Sequence, residues 1–306
     1  MMDNTLLVKL DSLAYVGLAL HQNGVQFIRS VVLENKGVEH LRDLRVEIKS
    51  DPEFFTPVEL AVSEIAAGGA VQLKDFNVVP SHSFFASVTE RVRGSIIVDV
   101  LASGAEAPLK RLAQNIDICA HDEWFGGDFM PEMLAAFVTP NSDGVSTLLK
   151  RSSELMQERS GNGALDGYQS GDKTRVLLMV KCIYDAVLES GVNYMEAPAS
   201  FGEKGQRVRF PDKILSTKFA ACLDFSLLFA GMMEQCGLHP LVMLSRGHAY
   251  VACHLLRYNF PDSVVDDLQS IRKRAEIDEI VAFESTSAAG GRSKFSVAMT
   301  EGAKRL

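Results

Sequence analysis

The chain has 306 residues, of which 47% are hydrophobic and 23% charged; 31 Lys and Arg stand against 39 Asp and Glu, a formal net charge of −8. That length holds two domains with packed cores. The acidic balance argues against direct nucleic-acid binding, and no apolar run approaches the ~20 residues that cross a bilayer.

Residues 1–10 carry Asp3 and no secretory pattern. The first hundred or so residues read as β-structure. Leu44, Val46 and Ile48 alternate with Arg45, Glu47 and Lys49, the period of a half-buried strand, and Ser50-Asp51-Pro52 marks its turn. Further strands are expected at 6–10, 15–20, 25–33, 59–65, 71–78, 86–91, 95–101 and 111–119. Asn23-Gly24, Gly68-Gly69 and Gly94 supply turn chemistry between them. Short strands at this spacing predict an antiparallel β-sandwich over residues 1–120, most simply Ig-like.

The pattern then changes, with a domain boundary expected near 118–124 and a second domain over 121–306, an α+β chain overall. Pro131 opens a helix over 131–137. Asp143-Gly144 precedes a helix over 145–158. Residues 174–190 form the clearest helix: Val176, Leu177, Val180, Ile183, Tyr184 and Val187 fall at helical spacing and Gly191 stands at the end.

Residues 220–237, AACLDFSLLFAGMMEQCG, carry Leu223, Leu227, Leu228, Met232 and Met233 as a helical stripe closed by Gly237. Cys222 then falls in the first turn, where the helix dipole and free N–H groups favour a thiolate and can hold an oxyanion. A strand over 241–244 leads to Arg246-Gly247-His248, and a continuing strand places His248, Tyr250, Ala252 and His254 on one face. A third strand-like run, 280–286, carries one carboxylate, Glu284, among apolar neighbours. Nucleophile, base and orienting acid in this order match the logic of a catalytic triad.

The run ACLDFSLLFAGMMEQCGLHPLVML…GHAYV…VAFEST resembles the transglutaminase-like (papain-type) cysteine protease superfamily. The resemblance implies Cys222 as nucleophile, His248 as base and Glu284 as orienting acid. Two departures stand out: Ala220 replaces the glycine two before the cysteine, and Glu284 replaces the more usual aspartate. A wider resemblance is carried by DEWFGGDFMPEMLAAFVTPN, LDGYQSGDKTRV, APASFGEKGQRVRFPDKIL and GHAYVACHLL. These are similar to the N-terminal region of large bacterial proteins that join an Ig-like domain, a transglutaminase-like domain and a superfamily-one helicase, often linked to anti-phage defence or mobile elements. This implies a helicase partner or a fused helicase domain, and a protein or peptide substrate. No Walker-A sequence occurs in these residues.

Plainer readings stand beside these. Cys222 also fits a buried core cysteine. Asp224 reads as a favourable charge in the first helical turn. Gln206 is a candidate oxyanion donor or an ordinary loop residue. Arg207, Arg209 and Lys213 read as a solvated basic cluster or part of a cleft. Cys119, Cys182, Cys222, Cys236 and Cys253 include no CxxC pair, which points to a reducing, cytoplasmic setting and no disulfide framework. His248 and His254 lie too far apart along one strand for a closed metal site with Cys222, so no metal and no cofactor are expected.

Overall fold

The computed structural model describes residues 5–126, 130–196 and 205–306. Residues 1–4, and the parts of the quoted runs at 127–129 and 197–204, lie outside the described residues. The architecture is α+β, in two compact units, Met1–Glu123 and Trp124–Leu306.

The first unit holds two sheets. Strands β1 (Leu6–Ser12), β3 (Ile28–Asn35) and β6 (Ala70–Leu73) form an antiparallel three-stranded sheet in the order β1-β3-β6. The other runs β2-β8-β7-β4-β5, with β2 (Tyr15–Val16), β4 (Leu41–Asp51), β5 (Val58–Ile65), β7 (Val92–Ala102) and β8 (Lys110–Ile118). Alternation along β4 buries Leu44, Val46 and Ile48 as the sequence pattern predicts. Phe27, Phe54 and Phe55 are buried in mutual ring contact, with Phe54 and Phe55 edge-on at 5.2 Å, and buried Phe85 packs on Phe54.

Three expectations for this unit are corrected. The sheet is not wholly antiparallel, because β2 pairs parallel to β8. Residues 15–20 are not one strand: β2 stops at Val16, and helix α1 (Leu18–Gln22) follows Gly17. Residues 86–91 are not a strand either. The Ser81 hydroxyl accepts the Phe84 N–H at 3.3 Å and starts helix α2 (His82–Ser87), which buries Phe85. In both places a local helix signal overrides the β-propensity of the neighbouring aromatic and branched residues.

The second unit packs helices α3 (Asp143–Ser160), α4 (Lys173–Glu189) and α6 (Cys222–Gln235) against one face of a sheet. That sheet consists of β9 (Pro240–Ser245), β10 (His248–His254) and β11 (Ile280–Phe283), antiparallel in that order. Ser142 and Asp172 cap α3 and α4. Residues 131–137 form a tighter 3-10 helix. Val251, Cys253, Val281 and Phe283 meet the helices in one core. Tyr184, Phe229, Phe283 and Phe295 form its aromatic centre, with Phe229 edge-on to Phe283 at 5.1 Å. Three helices had no counterpart in the sequence reading: α5 (Pro211–Thr217), α7 (Leu268–Glu276) and α8 (Phe295–Arg305). No helix among the described residues is long and apolar enough to cross a membrane.

Candidate active site

Cys222 is the first residue of α6. The first N–H groups of a helix have no intrahelical acceptor, so this thiol sits beside free donors. Asp224, fully buried two residues on, accepts the N–H of Ala221 at 2.8 Å and that of Arg209 at 2.8 Å, and pairs with the Arg209 guanidinium at 3.1 Å. Burial pushes the Asp224 carboxyl up in pKa, against those hydrogen bonds. The sequence reading of Asp224 as a helix-start charge is therefore incomplete: it also clamps the 205–210 segment to the start of α6. Arg209 accordingly leaves the basic cluster to which sequence assigned it.

His248 opens β10 directly after a turn at Arg246-Gly247, where Gly247 takes the left-handed φ of 72°. Its Nε2 hydrogen-bonds Glu284 Oε2 at 2.8 Å. That leaves Nδ1 free of the carboxylate, and the Cys222 side chain also acts on the ring. The Cys222 contact, then the Glu284 bond, raise the His248 pKa to about 9 against the opposing effect of burial.

Glu284 is not in a strand, as its run had predicted. β11 ends at Phe283, and Glu284 caps a 3-10 turn over Ser285–Gly291, its Oε1 accepting the Thr286 N–H at 3.1 Å and the Thr286 hydroxyl at 2.8 Å. Burial pushes this carboxyl up, but the His248 and Thr286 bonds outweigh it and hold it at about 2. Register also accounts for the glutamate. Val251 pairs with Phe283, the last residue of β11, and the same register carried one residue further sets Glu284 opposite Tyr250, one diagonal step from His248. Diagonal neighbours lie about 7–8 Å apart, a span that suits the longer carboxylate side chain.

Several groups at the site carried no clear sequence signal. The Ser226 hydroxyl donates to the Cys222 carbonyl at 2.8 Å and so accepts from the Ser285 hydroxyl at 3.0 Å, joining α6 to the residue after Glu284. Arg305, on α8, pairs with Glu284 Oε2 at 2.7 Å. The only advance signal for the serines was their placement at i+4 from Cys222 and beside Glu284.

Gln206 is 4% exposed, and neither end of its amide has a hydrogen-bond partner among the described residues. Burying an unpaired amide costs about 1–3 kcal/mol, which a group awaiting a ligand can repay on binding. The other four cysteines are buried, and burial raises each thiol pKa, to about 12 for Cys119, Cys236 and Cys253. No group of three or more His, Cys, Asp or Glu residues among the described residues could hold a metal ion. Set against known proteins, the chain matches no family model and no curated protein.

Proposed function

We propose that this protein is a thiol-dependent hydrolase of amide bonds, a cysteine peptidase built from an Ig-like β-sandwich and a transglutaminase-like domain. The observation that carries this reading is the His248 imidazole, hydrogen-bonded to the Glu284 carboxylate at 2.8 Å and raised in pKa first by the Cys222 side chain.

In the proposed reaction the Cys222 proton passes to His248 Nδ1, and the sulfur attacks the carbonyl carbon of the substrate amide. The N–H groups at the start of α6 and the unpaired Gln206 amide receive the oxyanion. As the tetrahedral intermediate collapses, the C–N bond breaks and the imidazolium protonates the leaving amine. Water, deprotonated by His248, then cleaves the thioester and restores the thiol. Glu284 holds the ring's tautomer and its positive charge throughout. An amine in place of water would give transfer, using the same residues to that point.

By its resemblance to helicase-fusion proteins, we take the setting to be a bacterial cytoplasmic defence complex with a helicase partner or fused helicase domain and a protein or peptide substrate. The test is alkylation of the full chain by a thiol probe across pH. Selective labelling of Cys222 that disappears in His248→Ala supports the thiol chemistry; equal labelling of several cysteines defeats it. Comparing cleaved cell proteins between wild type and Cys222→Ala then identifies the substrate.

One observation favours a second reading, a catalytically silent binding or sensor module of a helicase-associated complex. Cys222 is only 6% exposed, and the residue two before it is a buried Ala220 where the resembling family has glycine. Under that reading, Cys222→Ala leaves every cellular interaction of the chain unchanged.

A further inference from the structure

Arg305 meets Glu284 through its Nε at 2.7 Å from Oε2, the same oxygen that the His248 ring reaches at 2.8 Å. Oε1 is occupied by the N–H and hydroxyl of Thr286. The carboxylate therefore has donors on every side, and Arg305 shares the oxygen that orients the histidine.

An isolated surface ion pair contributes little and is easily exchanged for water. Here the Arg305 side chain is 42% exposed, but its partner is 7% exposed and the helix that delivers it is fixed in three places. Gly302 lies so close to β11 that an added Cβ would stand 2.5 Å from the Phe283 N and Cα. The Glu284 N–H donates to the Ala298 carbonyl on the same helix at 2.9 Å. The Tyr250 hydroxyl, on the His248 strand, donates to the Arg305 carbonyl at 3.3 Å.

We infer that Arg305 is a positioning residue of the site: it pins the Glu284 carboxylate opposite Thr286 and limits how strongly that carboxylate holds the His248 ring. The inference rests on the Cys222–His248–Glu284 reading above and deepens it. A glutamate held at Oε1 alone can still pivot about that oxygen; a second anchor at Oε2 removes the freedom. The same cation repels an imidazolium on the shared oxygen. A histidine held too firmly as imidazolium is a poor proton donor to a leaving amine, so moderating it serves the acid half of the cycle.

The charged and titratable groups that bear on this arrangement come from every packed element. Cys222, Glu284 and Arg305 act on His248; Glu284 acts in turn on Tyr184, Tyr194 and Tyr250; Arg305 and Arg272 act on Tyr250. Of the groups acting on His248, Arg305 supplies the positive charge that opposes imidazolium.

The experiment is an NMR titration of the His248 imidazole in the full chain, for wild type, Arg305→Gln and Arg305→Lys. Loss of the charge in Arg305→Gln moves the midpoint up by roughly 0.5–1 pH unit, a size set by one partly screened charge. Arg305→Lys, which keeps the charge, returns it to the wild-type value. A midpoint unmoved in Arg305→Gln, or moved equally in Arg305→Lys, overturns the inference, as does a fall in thermal stability with no change in midpoint. The titration needs no turnover. A failure here is thus distinct from failure of the thiol chemistry, which shows as Cys222 labelling that survives His248→Ala.

Discussion

The two ends of strand β10 hold histidines with opposite fates. His248 is hydrogen-bonded to the Glu284 carboxylate, and the Cys222 side chain and that bond raise its pKa to about 9. His254 is 1% exposed, against the rings of Tyr258 at 5.2 Å and Phe260 at 5.4 Å, with neither ring nitrogen hydrogen-bonded among the described residues. Burial, then the charges of Arg274 and His239, lower its pKa to about 4. The same side chain on the same face of the same strand is paired with a carboxylate at one end and is core filling at the other. The difference lies in the partners that other segments bring.

The comparison breaks first at His248. Replacing it with alanine lowers amide hydrolysis by about 10³-fold or more, whereas His254→Phe leaves hydrolysis near wild type; steady-state rates on any cleaved substrate check both. Equal losses would mean that the two ends do not differ in function. Next, Glu284→Gln keeps the shape of the acid but removes its charge. The His248 midpoint should fall from about 9 toward its ordinary value, with a rate loss of about 10²–10⁴-fold, read by NMR titration and kinetics together.

Gly302→Ala tests whether α8 belongs to the His248 end. A Cβ 2.5 Å from the Phe283 backbone must displace one element, and overpacking of this kind costs about 1–3 kcal/mol in a denaturant melt.

The pH dependence of stability sharpens the contrast. His248, with a folded pKa above its unfolded value of 6.5, contributes stability fully present below pH 6.5 and lost as pH rises through about 9. His254, with a depressed folded pKa, contributes stability present above pH 6.5 and lost as pH falls through about 4. Between pH 7 and pH 5 the wild type should lose about 2 kcal/mol that His254→Phe does not lose, measured as the difference between their unfolding curves. Parallel curves would show that His254 is not held neutral in the folded state.

Sequence made some elements of each region legible and hid others. β4 was plain because polar and apolar residues alternate through Leu44, Val46 and Ile48; helix α4 was plain because its apolar residues fall at helical spacing. Residues 15–20 misled because Tyr15 and Val16 with their apolar neighbours suit a strand, and 86–91 because the branched Val88 and Thr89 do, while Gly17 and the Ser81 cap start short helices there. Helix α7 went unread because Ile271 is its one buried residue, which leaves almost no apolar stripe. Helix α8 went unread although it carries Arg305, because its tightest contact is made through a glycine, which leaves no hydrophobic mark in a sequence. At the site, the Cys222, His248 and Glu284 segments were readable in order. The Asp224–Arg209 clamp, the Ser226–Ser285 bridge and the Arg305 pair were not, since each joins residues that share no periodicity.

By itself the sequence determined which chemical groups are present and which periodic segments present them: a cysteine at a helix start, a histidine after a glycine turn, a carboxylate closing an apolar run. Only the tertiary structure decided which histidine acquires partners, that Glu284 Oε2 is shared between His248 and Arg305, and that Gln206 is buried without a hydrogen bond. The physical reason is range. Periodicity and capping act within a few residues of chain, whereas hydrogen bonds and desolvation act within a few ångströms of space, and only packing turns one kind of neighbour into the other.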